Sequence, residues 1–177
     1  CVIDPIVKQL VTLDPSNESY YIDNASRLKL KMQNLHNEIL CLIKAIPSNK
    51  RYLVTSHGAF NYFIKSYLAE EGEDWRTRYT APEGLVPEGQ ICCVDISNTI
   101  SYLKQYNVKY IFVEANINKD SINKIMSVGN SMGLDLCIAK EILYSDTMIG
   151  EKNKEINEIG YITTIRHNAN VIYHYLN

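Results

Sequence analysis

A chain of 177 residues with a formal net charge of -2 and a pI near 6.1 has room for one sizeable core and too little for two full α/β domains. It carries no cationic excess of the kind that holds nucleic acid or an anionic membrane surface, so neither is expected as a partner. No apolar run approaches the roughly 20 residues that a membrane span needs, and no charged segment followed by an apolar one opens the sequence as a secretory leader would.

The first stretch, CVIDPIVKQLVTL, already places Val2, Ile3, Ile6, Val7, Leu10 and Leu13 at helical spacing, a pattern that leads us to expect preceding sequence. Asp14-Pro15 then reads as a helix start, a capping acceptor followed by proline at the first helical position. Between it and Pro47, Tyr21, Ala25, Leu28, Met32, Leu35, Ile39, Leu42 and Ile46 recur at alternating steps of four and three. This predicts one helix of roughly 45 Å at 1.5 Å per residue, better read as a strut packed along a domain than as a coiled coil.

After Pro47 the period changes. Tyr52 to Thr55 reads as a short buried strand, and Ala59, Phe60, Phe63, Ile64, Tyr67 and Leu68 repeat as a helix. An extended piece at Arg78 to Ala81 leads into PEGLVPEGQ, a loop rich in proline and glycine. A helix around Val94 to Tyr106, the strand VKYIFVE, a helix around Lys119 to Met132 ended by Gly133, and the strand LDLCIA follow. KEILYSDTMIGEKNKE reads as a long loop, and Ile159, Ile162, Ile165, Ala169, Ile172 and Leu176 line a closing helix. Strands alternating with helices predict an α/β fold with a parallel sheet of about four strands flanked by helices. The expected divisions are residues 1–13, the end of an earlier helix; 14–47, the long helix; and 48–177, the α/β body. Of the five cysteines, none forms a CxxC, and the odd number leaves at least one thiol unpaired. Cys41 and Cys137 read as small buried hydrophobes.

Ligands of open parallel sheets bind beyond the carboxyl ends of the strands. Three polar residues fall there: His57 after the first strand, Glu114 after YIFV, and Asp146 in the loop after LCIA. An imidazole nitrogen and a carboxylate oxygen suit Zn, Mn or Fe, so His57 and Asp146 are candidate metal ligands, set against a hydrogen-bonded structural histidine. Glu114 is a third ligand, a partner orienting His57 from behind, or a member of a salt bridge. His36 is expected in solvent, His167 and His174 lie too far apart along one helix to clasp one ion, and Glu83 and Glu88 are expected to be solvated. The sequence holds no GxGxxG, GxxxxGK[ST], GxSxG or HExxH. Ser56 and His57 are adjacent, a poor arrangement for a nucleophile and its base.

LVTSHGAFNYF resembles the third-ligand motif of the TroA-like metal-binding proteins, the solute receptors of bacterial manganese, zinc and iron ABC importers, and LYSDTM resembles their last-ligand motif. PEGLVPEGQI, IFVEANIN and RHNANVI match in order, so the likeness covers nearly the whole chain, and WRTRYTAPEGLVPEGQI with LYSD resembles in particular the chlamydial, iron-binding branch. The resemblance implies two α/β lobes joined by one long helix, no catalysis, and metal held between the lobes. Residues 14–47 would be the joining helix and 48–177 the carboxyl-terminal lobe, with His57 and Asp146 at the third and fourth ligand positions. The first two ligands of the family are histidines of the amino-terminal half, the second in a DPHxW motif that this chain lacks. The chain is therefore expected to carry half of a metal site. Iron is favoured over manganese and zinc, with a membrane permease as partner and the periplasm or cell envelope as location.

Two other readings stand beside this one. A surface adhesin or interaction module of the same family would use the exposed strut. A small α/β enzyme would use Glu114 or His57 as acid or base and would need a convergent pocket within this chain.

Overall fold

Alternating apolar and polar patterns fold as the periodicities direct. The computed structural model describes residues 2–85, 91–115, 118–149 and 160–177. The chain divides into two units, Cys1–Glu38 and Ile39–Asn177.

The first unit holds helix α1 (Ile3–Leu13), which buries none of its residues, and the beginning of helix α2 (Glu18–Lys44). Between them Pro15–Asn17 forms a short 3-10 turn. The Asp14 carboxylate gathers it by accepting hydrogen bonds from Ser16 Oγ, Asn17 Nδ2 and Tyr21 Oη. The helix expected from Asp14 to Ile46 is thus observed as this turn followed by α2. Lys29 on α2 pairs with Asp4 on α1.

The second unit begins in the last turns of α2, where Ile39 and Ile43, with Ile46 beyond, are fully buried. Its strands are β1 (Leu53–Val54), β2 (Tyr79–Thr80), β3 (Tyr110–Ile111) and β4 (Cys137–Ile138). They pair as β1 with β2 and β3 with β4, both parallel, and the Phe112 N–H donates to Val54 O at 2.9 Å between the two pairs. Spatial order is therefore β2-β1-β3-β4, the parallel arrangement that helical crossovers require. A further parallel bridge, Glu114 with Leu143, continues the second pair.

Alternation along the strands sends side chains to two faces. Val54, Ile111 and Val113 pack with Ile100 and Leu103 of α4 (Cys93–Gln105) and Ile122 and Ile125 of α5 (Asp120–Ser131). On the other face Phe112, fully buried, meets the ring of Tyr175 on α6 (Gly160–Leu176) edge to face. The apolar repeat Ala59 to Leu68 forms a short helical turn, α3 (Asn61–Phe63), that widens into a π-helix over Ile64–Leu68. Cys41 is exposed, contrary to the expected burial, and Cys137 is half-buried; Cys41, Cys92, Cys93 and Cys137 are all free thiols. Cys41 lies on the outer side of α2, where the apolar stripe is carried by its neighbours Ile39 and Ile43.

Gly129 in the last turn of α5 is explained by packing. A Cβ built there would collide with Leu136 Cδ1 and stand 3.1 Å from Ile100 Cδ1, both residues of the buried cluster. Gly129→Val is expected to lower stability by on the order of 2 kcal/mol through overpacking, read as a fall in the urea midpoint at unchanged slope.

Candidate metal centre

β1 ends at Val54, and the next four residues, Thr55-Ser56-His57-Gly58, turn beneath the carboxyl edge of the sheet. Thr55, Ser56 and His57 are each no more than 2% exposed. Buried backbone in a turn must find partners outside the ladder, and here several side chains supply them. The Tyr79 hydroxyl donates to His57 O at 2.7 Å, Thr55 Oγ1 donates to the same oxygen at 2.7 Å, and the two hydroxyls lie 2.7 Å apart. Burial pushes the Tyr79 hydroxyl well above its ordinary value, so it stays a donor. Gly58 N–H donates to Gly84 O, and a Cβ at Gly58 would crowd that oxygen at 3.0 Å; the turn needs a glycine there.

Glu114, at the end of the β3 segment, reaches under the same turn with a side chain closed to solvent. Its Oε1 accepts from Ser56 Oγ at 2.9 Å and from His57 N–H at 3.0 Å. Its Oε2 lies 2.7 Å from His57 Nδ1, and neither of these two buried atoms has another partner among the described residues. The carboxylate therefore calls for a proton on Nδ1 and turns Nε2 toward the sheet edge. There Nε2 stands 3.1 Å from Asp146 Oδ2. The imidazole is 3% exposed and the Asp146 side chain 62%, so the ring forms the floor and the carboxylate the rim. Next to Asp146, Ser145 Oγ is shielded and unpartnered among the described residues.

The three residues that the sequence set at separate strand ends thus meet at one edge. Glu114 faces the far side of the imidazole from Asp146, which leaves two side chains on the open side. Accordingly no group of three or more His, Cys, Asp or Glu is arranged to hold a metal ion among the described residues. Glu83 differs from its expected solvation: it is half-buried, its N–H donates to Ser56 O, and its carboxylate accepts from Ser121 Oγ. The loop that carries it is thereby laid against the histidine turn. Glu88 lies outside the described residues. His36 is half-buried rather than in solvent, because it stands one turn after Met32 of the apolar stripe on the same side of α2. His167 Nε2 contacts Ile142 O at 2.9 Å, and His174 is exposed against the ring of Tyr175. Sequence reasoning missed Tyr79, whose role rests on a contact 22 residues away.

A cavity of about 590 Å³ opens at the other end of the strands, lined by residues that include Lys50, Tyr52, Lys109 and Tyr175. Its cations are already engaged, Lys50 by Asn177 O and Lys109 by Asp135. It offers no convergent chemistry, and the polar groups at the sheet's carboxyl edge define the candidate centre.

Comparison with known proteins bears on this edge. A profile described as "Zinc-uptake complex component A periplasmic" matches residues 2–175. The metal-binding protein YtgA of Chlamydia trachomatis is 34% identical over 167 residues, 92% of this chain and 48% of the relative. The manganese-binding lipoprotein MntA of Bacillus subtilis is 29% identical over 170 residues, 96% of this chain and 52% of the relative. The crystal structure of Fe(III)-bound YtgA from Chlamydia trachomatis superposes with a TM-score of 0.86 at 32% identity, covering 97% of this chain and 57% of that one. A laminin-binding protein of Streptococcus agalactiae, described as bifunctional with adhesin and metal-transporting activity, reaches a TM-score of 0.72 at 25% identity, with 97% and 58% covered. The chain spans about half the length of the curated relatives it matches.

Proposed function

Because the chain belongs to the periplasmic zinc-uptake complex component A family, whose members are metal-binding transport receptors and not enzymes, we propose that it captures a transition-metal ion through His57 Nε2 and an Asp146 oxygen. The observation that carries this reading is the 3.1 Å separation of those two atoms. With Nδ1 engaged by Glu114, the Nε2–Oδ2 contact is favourable only with a cation between them, a proton or a metal ion. Two donors at about 2.0–2.2 Å from one ion lie roughly 2.8–3.6 Å apart at octahedral to tetrahedral angles. Glu114 raises the basicity of the imidazole and fixes its orientation, as a carboxylate behind a metal-binding histidine does.

Two monodentate groups hold an ion weakly, so the remaining ligands come from outside these residues: two histidines of the other half of a receptor of the relatives' length. In that assembly residues 14–47 join the halves and 48–177 form the metal-binding lobe, and the receptor delivers its cargo outside the cytoplasm to an ABC permease. A mixed nitrogen and oxygen set accepts Fe, Mn and Zn. Iron is favoured by the likeness to YtgA, whose crystal structure is described as Fe(III)-bound.

The test is a zinc titration of the chain followed by the imidazole nitrogen resonances. His57 Nε2 is expected to shift, with His57→Ala abolishing the bound state and Asp146→Ala weakening it by about tenfold or more. A tight stoichiometric complex that survives the double substitution would overturn the reading.

A further inference from the structure

We infer that Asn168 is a positioning residue for metal capture: its amide, by bonding both backbone groups of Tyr144, sets where Asp146 stands relative to His57. This rests on the metal reading above and goes beyond it, because Asn168 touches neither proposed ligand.

After Leu143 the chain leaves the ladder, and no strand or helix is formed from Tyr144 to Ile149. Its backbone groups need partners that regular structure does not supply. One face of α6 supplies them through Thr164, His167 and Asn168, which share that face at i, i+3 and i+4. Asn168 Oδ1 accepts the Tyr144 N–H at 2.9 Å while Nδ2 donates to Tyr144 O at 2.7 Å. His167 Nε2 meets Ile142 O, and Thr164 Oγ1 accepts the Ile149 N–H at 2.9 Å. Asn168 is 1% exposed and Thr164 4%, so these bonds are made out of competition with water.

The arrangement is asymmetric about the site. The His57 turn is tied from several directions by Glu114, Ser56, Thr55 and Tyr79. Asp146 has an exposed side chain whose polar contact among the described residues is His57 itself. Its location is therefore inherited from the pinned residues on either side, Tyr144 and Ile149. A carboxylate on an untied loop would have to be ordered as the ion arrives, at an entropic cost that weakens capture.

A double-mutant cycle tests this. Zinc affinity is measured for the chain, Asn168→Ala, Asp146→Ala and the double variant, each read at the His57 imidazole, with urea unfolding in parallel. Asn168→Ala is expected to lose about tenfold in affinity, and to lose nothing further once Asp146 is alanine, since it acts through that carboxylate. An equal loss in both backgrounds, or no loss in the single variant, overturns the inference. Should Asn168→Ala fail to fold, Thr164→Val carries the same cycle from the other pinned end of the segment, removing the acceptor of the Ile149 N–H together with the hydroxyl's local bond to Gly160 O within α6. A His57 resonance that ignores zinc in the unsubstituted chain would sink the metal reading and this inference together; a responsive His57 with an additive cycle would sink this inference alone.

Discussion

Glu114→Gln is expected to lower zinc affinity at His57 by about 10 to 100-fold while the fold persists, whereas Glu114→Leu is expected to cost about 3–5 kcal/mol of stability. The two substitutions separate the two roles of one carboxylate. Glutamine can keep its oxygen on Ser56 Oγ and His57 N–H, the two donors now 2.9 and 3.0 Å from Oε1. Its amide nitrogen then faces Nδ1 in place of Oε2. That nitrogen is a donor, so Nδ1 must become the acceptor and the ring proton moves to Nε2. A protonated Nε2 cannot ligate a metal ion, and the ion must first drive the tautomer back. Leucine removes every acceptor, leaving the Ser56 hydroxyl, the His57 N–H and the Nδ1 side of the ring buried and unpaired. Nitrogen NMR of the imidazole reads the tautomer directly, and urea unfolding reads the stability. A Glu114→Gln variant that keeps the wild-type tautomer and affinity would remove Glu114 from the metal site and leave it a structural carboxylate.

Much of this edge was legible because strand ends are marked locally. Val54, Val113 and Ala139 each close a short apolar run, with His57 and Glu114 just beyond the first two and Asp146 in the loop that follows the third, so the rule for parallel sheets brings them together without any knowledge of the contacts. The long helix was legible from its repeat, and its start was blurred because Asp14 gathers Ser16, Asn17 and Tyr21 into a 3-10 turn before Glu18. The supports of the site were not legible. Tyr79 and Asn168 lie 22 residues from His57 and 24 from Tyr144, and a tyrosine or asparagine that bonds to a distant backbone leaves no periodic trace. Glu83 was misjudged for the same reason: its hydroxyl partner, Ser121, is 38 residues on. Cys41 failed in the opposite direction, since a small apolar residue beside a stripe need not belong to it.

Arg78→Ala is expected to destabilise the chain by about 3 kcal/mol at pH 7, with the loss shrinking in acid. The Arg78 side chain is 7% exposed, immediately before β2. Its Nε meets both oxygens of Glu73 at 2.8 and 2.9 Å, its Nη1 and Nη2 bond Ser48 O and Oγ, and its carbon lies 4.7 Å from the centroid of the Tyr52 ring. Burial works to raise the Glu73 carboxyl, but the Glu70 N–H and Arg78 outweigh it and hold the group below its ordinary 4.5. A carboxylate depressed in the folded state contributes stability that is complete above the unfolded value and lost as pH falls through the folded one. The Arg78–Glu73 contribution is therefore full above about pH 5 and fades below 4.5. Glu70, held at about 2 chiefly by its hydrogen bond to Lys44, fades in the same direction. It is 44% exposed and screened, and its effect is common to both proteins and cancels in the difference. Unfolding in urea at pH 7 and at pH 3 should thus give a smaller gap between wild type and Arg78→Ala at the lower pH. Arg78→Met retains the apolar stem over Tyr52 and should show the same narrowing from a smaller starting gap. A gap that stays constant with pH would assign the whole effect to the Tyr52 and Ser48 contacts and none to the ion pair.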